Sequence, residues 1–253
     1  MGNFVLPAPE KAASVNSFDA ASTMHIGQPL RRKEDQRLLT GRGQFSDDFS
    51  LPEQTHAAMV RSPHPHAKIK HIESAAAMSV PGVLAVITGT DLKKAGLNAI
   101  PHSPVPSTNY DLKLRGPDGG PAIIDDHFLL PTDRVRHVGE GVAMVIADCL
   151  EAALDGVEQV RVTYDVLPHV TQSKSAILPD APTLYDGVAS NVLVDTTFGD
   201  QPTTDAAFAQ ATHIVEHEFH IQRVTGVTME PRSALGQYDA EADQFTLIAG
   251  SGS

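Results

Sequence analysis

Val142-Ala143-Met144-Val145-Ile146-Ala147-Asp148-Cys149-Leu150-Glu151-Ala152-Ala153-Leu154-Asp155-Gly156-Val157-Glu158-Gln159-Val160-Arg161-Val162-Thr163-Tyr164-Asp165-Val166 is the stretch that decides the fold class. Residues 142–147 are uninterruptedly apolar, the pattern of a short strand buried on both faces. Asp148 follows in the position of a helix cap, with Glu151 three residues on. Leu150, Leu154 and Val157 then recur at helical spacing and put one apolar stripe on a short helix. Residues 159–166 return as a strand. Strand, helix and strand with tight links predict a βαβ crossover, right-handed if its strands are parallel. The unit is mixed α/β.

Upstream, residues 55–60 and 67–72 read as two strands joined by Arg61-Ser62-Pro63-His64-Pro65-His66, whose prolines forbid continuous helix or ladder pairing. Residues 74–79 form a short Ala-rich helix stopped by Pro81-Gly82, and 83–88 a compact β-branched run suited to a buried strand. Residues 98–120 carry many Pro, Gly, Ser and Asn and predict a long surface excursion. Residues 26–52 read as loop with one short helix or strand, and 1–25 as a loose arm. Downstream, Leu178-Pro179-Asp180-Ala181-Pro182 reads as an extended linker. A helix at 204–211 and strands at 213–222, 233–238 and 244–249 follow, the last two joined by a turn at 239–243. The expected organisation is an arm over 1–25, a first domain over 26–175, and a linker with a β-rich second domain over 176–253. The class is α+β.

With 253 residues and 41% hydrophobic content the chain can bury a real core. The balance of 19 Lys plus Arg against 31 Asp plus Glu leaves a formal charge of -12, which repels nucleic acid and acidic membrane surfaces. No export signal and no membrane-spanning run is visible, so the expected compartment is the cytoplasm. A single cysteine, Cys149, excludes an internal disulfide and any cysteine-built iron–sulfur or zinc site within this chain. Redox chemistry would need other subunits.

Twelve histidines invite a metal reading. On a strand, however, His213 and His217 share one face while His220 points to the other, and His64-Pro65-His66 has no carboxylate or thiolate fixed nearby. Satisfied loop and surface histidines are the expectation, with no metal site. Gly41-Arg42-Gly43 and Gly139-Glu140-Gly141 lack the third glycine of a phosphate loop and read as tight turns. Cys149, between strand and helix, reads as a small buried thiol. Met229-Glu230-Pro231-Arg232 differs in kind: a carboxylate and a guanidinium flank a proline where the chain must turn. A structural ion pair at a bend and an active-site role are equally compatible with it.

Taken in order, several passages resemble one family. Gly27-Gln28-Pro29-Leu30-Arg31 with Asp35 to Gly43, Phe45 and Asp47-Asp48 is similar to the entry segment of the molybdopterin-binding large subunit of the xanthine dehydrogenase/aldehyde oxidase family. His56-Ala57-Ala58-Met59-Val60-Arg61-Ser62-Pro63-His64-Pro65-His66-Ala67 resembles its early motif. Val80-Pro81-Gly82-Val83 and the run from Gly141 to Pro168 resemble its α/β hammerhead domain. Gly141 departs from the proline often found there. Gly199-Asp200, Ala206-Ala207-Phe208-Ala209, Glu218, Gln222-Arg223 and Met229-Glu230-Pro231-Arg232 look like the opening of its first cofactor-binding domain.

The resemblance implies a hammerhead domain followed by the start of a β-rich molybdenum-cofactor-binding domain. It implies a hydroxylase in which molybdenum on a pterin dithiolene inserts water-derived oxygen into a C–H bond of an aldehyde or N-heterocycle. Iron–sulfur clusters and FAD are then expected on partner subunits, with the remaining large-subunit domains, or a continuation chain, as a further partner. The family's cofactor-contacting glutamine and glycine-rich loops and its catalytic glutamate find no matching position here. No catalytic residue is carried over, and Glu230 and Arg232 are taken as neighbours of the cofactor pocket. The expectation is therefore an oxidoreductase-class chain not active by itself, with a non-catalytic hammerhead interaction protein or a truncated remnant as the alternative.

Overall fold

The computed structural model describes residues 32–100, 112–222, 224–228, 230 and 232–250. The expected arm, the start of the entry segment and the middle of the 98–120 excursion lie outside the described residues, as do Arg223, Met229 and Pro231. Its content of short helices and antiparallel strands is α+β. By their contacts the residues form two units, one of 51–224 and one of 1–50 with 225–253.

The larger unit holds two three-stranded sheets. Strands β1 (His56–Arg61) and β2 (Ala67–Glu73) are followed by helix α1 (Ala75–Met78), strand β3 (Val83–Thr88), helix α2 (Gly89–Lys94) and strands β4 (Arg134–Val135) and β5 (Gly141–Ala147). Helix α3 (Leu150–Gln159) then leads to β6 (Arg161–Val166). The strand orders are β1-β5-β3 and β4-β2-β6, and every pairing is antiparallel. The proline-bearing segment 62–66 carries the chain from one sheet to the other, so consecutive β1 and β2 never pair. One core cluster joins both sheets, with Val60, Val142 and Val145 from the first and Ala67 and Val135 from the second. Val135, Val142 and Val145 are fully buried, each stabilising the unit by about 1.5–3 kcal/mol relative to exposure.

Four expectations for the opening stretch are corrected. First, β5, α3 and β6 are not a βαβ crossover. Both neighbours of β5 are already taken by β1 and β3, so β6 pairs in the second sheet, from Ala67↔Val166 to Glu73↔Arg161 on β2. Second, the buried face of α3 is Ala152, Ala153 and Gly156, whereas Leu150 and Leu154 are 47% and 51% exposed. Small residues let the helix backbone come close to the sheet, and the leucine stripe is turned aside. The cap is Cys149 rather than Asp148: its Sγ accepts the Ala152 N–H at 3.5 Å, and the thiol is exposed. The terminus of the helix needs an acceptor there, which is why this thiol is not buried.

After β6, helix α4 (Ser173–Ala176) and the linker are folded back onto the same unit. Asn191 Nδ2 donates to the carbonyls of Ala176 and Pro182, both at 3.0 Å. Arg134 donates two bonds to the Asp186 carboxylate, at 3.1 and 3.0 Å, which hold that carboxyl below its ordinary range. Asp186→Asn is expected to speed limited proteolysis between residues 177 and 190; unchanged cleavage would show that the bidentate pair does not fasten the linker.

Helix α5 (Gln201–Gln210) follows, capped by Asp200, whose Oδ1 accepts the Thr203 N–H at 3.1 Å. The expected strand over 213–222 does not form. Among the described residues the segment has no partner strand, and Ile214, Phe219 and Ile221 are 60%, 79% and 89% exposed. Alternation alone makes a strand only where a ladder is offered.

The smaller unit contains helix-forming residues Asp35–Leu39, a 3-10 turn at Ser46–Asp48, and the hairpin β7 (Ala234–Asp239) and β8 (Gln244–Ala249). Asp239 Oδ1 accepts the N–H groups of Glu241 and Ala242, at 2.9 and 3.1 Å, which closes the turn.

Candidate functional site

Glu230 sits at a bend just before β7 and is half-buried. Its Oε1 accepts a long bond from the Ser46 N–H at 3.4 Å, and Ser46 Oγ shares a 2.6 Å bond with Ser233 Oγ. Ser46 is 7% exposed, so the 3-10 turn is held against the base of the hairpin by polar contacts shielded from water. Gly250 closes the other side: a Cβ there would lie 2.9 Å from Glu230 Oε1. Arg232 is exposed, and no ion pair joins it to Glu230 among the described residues. The structural-ion-pair reading of these two residues is thereby corrected, because the carboxylate is committed to a segment 184 residues earlier. Ser46→Ala is expected to cost about 1 kcal/mol, the net worth of one hydrogen bond. A double-mutant cycle with Ser233→Ala, read by hydrogen exchange of β7 amides, checks it: strict additivity would show that the two hydroxyls do not interact.

In the larger unit, the 61–66 segment gathers a second polar group. Ser62 accepts the His64 N–H and donates to the His64 carbonyl, at 3.0 and 3.1 Å. The tight turn at Gly139, with φ +88°, returns a bond from its N–H to the Ser62 carbonyl at 2.8 Å. His64 packs edge-on against the ring of Tyr164 at 5.0 Å. His66 is 4% exposed and bonds through Nδ1 to the Pro168 carbonyl at 3.0 Å, while its Nε2 is buried without a partner. His66 is thus a loop histidine satisfied at one nitrogen only, and it fastens the end of β6 to the motif loop. Among the described residues no group of three His, Cys, Asp or Glu side chains is disposed to hold a metal, and His217 stacks edge-on against Phe219 at 4.6 Å.

Among the described residues Tyr164 Oη is likewise buried without a well-formed hydrogen bond, although the Ser62 hydroxyl beside it, which donates to the His64 carbonyl and accepts the His64 N–H, keeps one lone pair. Burial raises its phenol above the ordinary value, the nearby Ser62 hydroxyl opposes this in part, and the Glu140 charge pushes upward again. A folded-state value above the unfolded one, near 10, means stability that is whole below pH ~10 and lost as pH rises through the folded value. Tyr164→Phe is expected to be neutral or stabilising by up to about 1 kcal/mol at pH 8, and to lose less stability than the parent above pH ~10. Urea titrations at both pH values check this. A clear loss at pH 8 would mean that the hydroxyl is bonded after all.

The chain is similar to known proteins along most of its length. A family model described as aldehyde oxidase and xanthine dehydrogenase, a/b hammerhead domain, matches residues 40–168. A molybdopterin cofactor-binding domain model matches residues 184–252. The carbon monoxide dehydrogenase large chain of Hydrogenophaga pseudoflava is 33% identical over 85% of this chain and 26% of its own. The nicotine 6-hydroxylase large subunit of Paenarthrobacter nicotinovorans is 34% identical over 88% of this chain and 25% of its own. The crystal structure of quinoline 2-oxidoreductase from Pseudomonas putida 86 superposes with a TM-score of 0.71 at 32% identity, covering 86% of this chain and 26% of that one. The chain thus spans about a quarter of the length of the relatives it matches.

Proposed function

From a chain that belongs to the aldehyde oxidase and xanthine dehydrogenase family of molybdopterin-binding large subunits, we propose a part in a molybdenum hydroxylase that oxidises an aldehyde or N-heterocycle with water-derived oxygen. In this reading residues 26–175 are the hammerhead domain and 176–253 open the first cofactor-binding domain. The working assembly adds the remaining large-subunit domains and iron–sulfur and flavin subunits in the cytoplasm. Among the described residues no helix is long and apolar enough to cross a membrane.

The observation that carries the proposal is the β7–β8 hairpin. Its register puts Ala234, Gly236, Tyr238, Phe245, Leu247 and Ala249 on one face. Tyr238, Phe245 and Leu247 on that face are 51%, 79% and 71% exposed. A two-stranded ribbon does not keep such a face in water by itself, and the face lies within the residues matched by the cofactor-binding-domain model.

Glu230, Ser46 and Ser233 form one edge of a site rather than an enclosure. Gly250 backbone fills the space beside the carboxylate, and Arg232 is turned to solvent. These residues do not fit as the holder of a pterin. In this reading Glu230 and Arg232 are neighbours of the cofactor pocket, and the support is that Glu230 holds the Ser46 turn and lies beside Gly250.

Co-expression with a downstream large-subunit partner tests the proposal. A stable complex that releases a fluorescent pterin on denaturation is expected, and Phe245→Glu with Leu247→Glu should prevent its assembly. The absence of both complex and pterin overturns the reading.

A further inference from the structure

The larger unit has a cleft that the hydroxylase reading leaves unused. It lies between α2 and residues 128–132, is open on one side to solvent, and has an accessible volume of about 110 Å³. That volume is below that of a drug-sized site and admits a single small ring, being near the roughly 150 Å³ of an apolar cavity that takes up benzene. The start of α2 beside it is fixed by a capping box, in which Thr88 donates its N–H and its hydroxyl to Asp91 Oδ2, at 2.9 and 2.6 Å. Gly89, the first residue of that helix, builds the floor. It lies so close to the chain opposite that a Cβ would meet the carbonyl oxygens of Pro131 and Leu130 at 2.5 and 2.6 Å.

The lining divides by chemistry. Leu92, Leu97, Phe128, Leu129 and Leu130 give apolar walls, and Leu97, Phe128 and Leu129 are 44%, 49% and 54% exposed despite their size. Lys93, Asn98 and Thr132 supply an ammonium, an amide and a hydroxyl. Each can donate a hydrogen bond, and among the described residues none of the three side chains has a hydrogen-bond or ion-pair partner. The site therefore offers an apolar body and unclaimed donors, one of them cationic, in a chain whose net charge is -12. A neutral apolar ligand would leave the donors unused, and a cation would meet Lys93.

We propose that this cleft binds a small apolar monocarboxylate, its hydrocarbon against Leu92, Leu97 and Phe128 and its carboxylate on Lys93, Asn98 and Thr132. A charged hydrogen bond gives orientation, and the leucines give most of the contact area.

Phenylacetate is the probe, added to the full 253-residue chain and followed through leucine methyl NMR shifts. Saturable shifts confined to Leu92, Leu97, Leu129 and Leu130 are expected, with a dissociation constant on the order of 1 mM for so small a ligand. Phenethylamine, with the same ring and the opposite charge, and acetate, with no ring, should each bind at least tenfold more weakly. Lys93→Glu, an exposed position on α2 that leaves the fold intact by circular dichroism, should weaken phenylacetate at least tenfold and improve phenethylamine. Equal affinity for acid and amine, or equal affinity of parent and Lys93→Glu for phenylacetate, overturns the proposal. So does binding of a peptide ending in phenylalanine with no binding of phenylacetate, which would make the cleft a polypeptide docking site.

Discussion

Gly89→Ala is expected to destabilise the larger unit by about 3 kcal/mol, at the upper end of what overpacking ordinarily costs. Propensity points the other way, since alanine is favoured over glycine within a helix by about 1 kcal/mol. The geometry decides. The new methyl would stand 2.5 Å from Pro131 O, 2.6 Å from Leu130 O and 2.8 Å from the Pro131 carbonyl carbon. These are backbone atoms, so no rotamer change relieves the clash. Moving them displaces Leu130, which is 4% exposed, and then β4, whose Val135 is fully buried. Gly96 is the matched control: its φ of +83° disfavours a side chain, but nothing lies within 4 Å of the site. Gly96→Ala should therefore cost only the strain of a left-handed residue, about 1–2 kcal/mol. Urea titrations of the two variants give the order. If Gly96→Ala proves the more damaging, close approach is not what requires Gly89.

The strands were the most legible part of this chain because their signals are local. The 244–249 strand has the bounds that its composition and the preceding turn predict, and the 83–88 strand is where its β-branched run lies. Sheet membership was not legible. Nothing within residues 142–166 says that both edges of β5 are occupied by segments more than 50 residues upstream, yet that occupancy turns an apparent crossover into a passage between sheets. The missing strand at 213–222 has the same origin, since pattern reports a half-buried ladder only if a ladder is present.

At the candidate site the sequence marked Glu230 and Arg232 by charge around a proline. It could not show that the carboxylate reaches Ser46 rather than its neighbour, because that partner is 184 residues away. The α2 cleft was missed altogether. Its signal, a glycine at the first position of a capped helix, is indistinguishable in sequence from a glycine tolerated there.

Gly156→Ala carries the same conflict between propensity and packing into the middle of α3, and it is the sharper test of how that helix docks. The substitution should again gain about 1 kcal/mol from helix propensity. Against this, its Cβ would lie 2.8 Å from Val145 Cγ1 and 2.9 Å from Val83 Cγ2. Both contacts are to β-branched side chains with few rotamers to retreat into, and Val145 is fully buried at the centre of the first sheet. The helix must therefore lift, which opens the Ala152 and Ala153 contacts that hold it to β1 and β5. A net loss of about 2 kcal/mol is expected, read as a lower urea midpoint with unchanged slope. Val145→Ala in the same background should recover part of it, because the truncated side chain removes the nearer clash; each single change alone destabilises, and together they cost less than their sum. A stabilising Gly156→Ala would instead mean that α3 rests on the exposed leucines of its other face, as the periodicity of Leu150, Leu154 and Val157 suggests, rather than on its small residues.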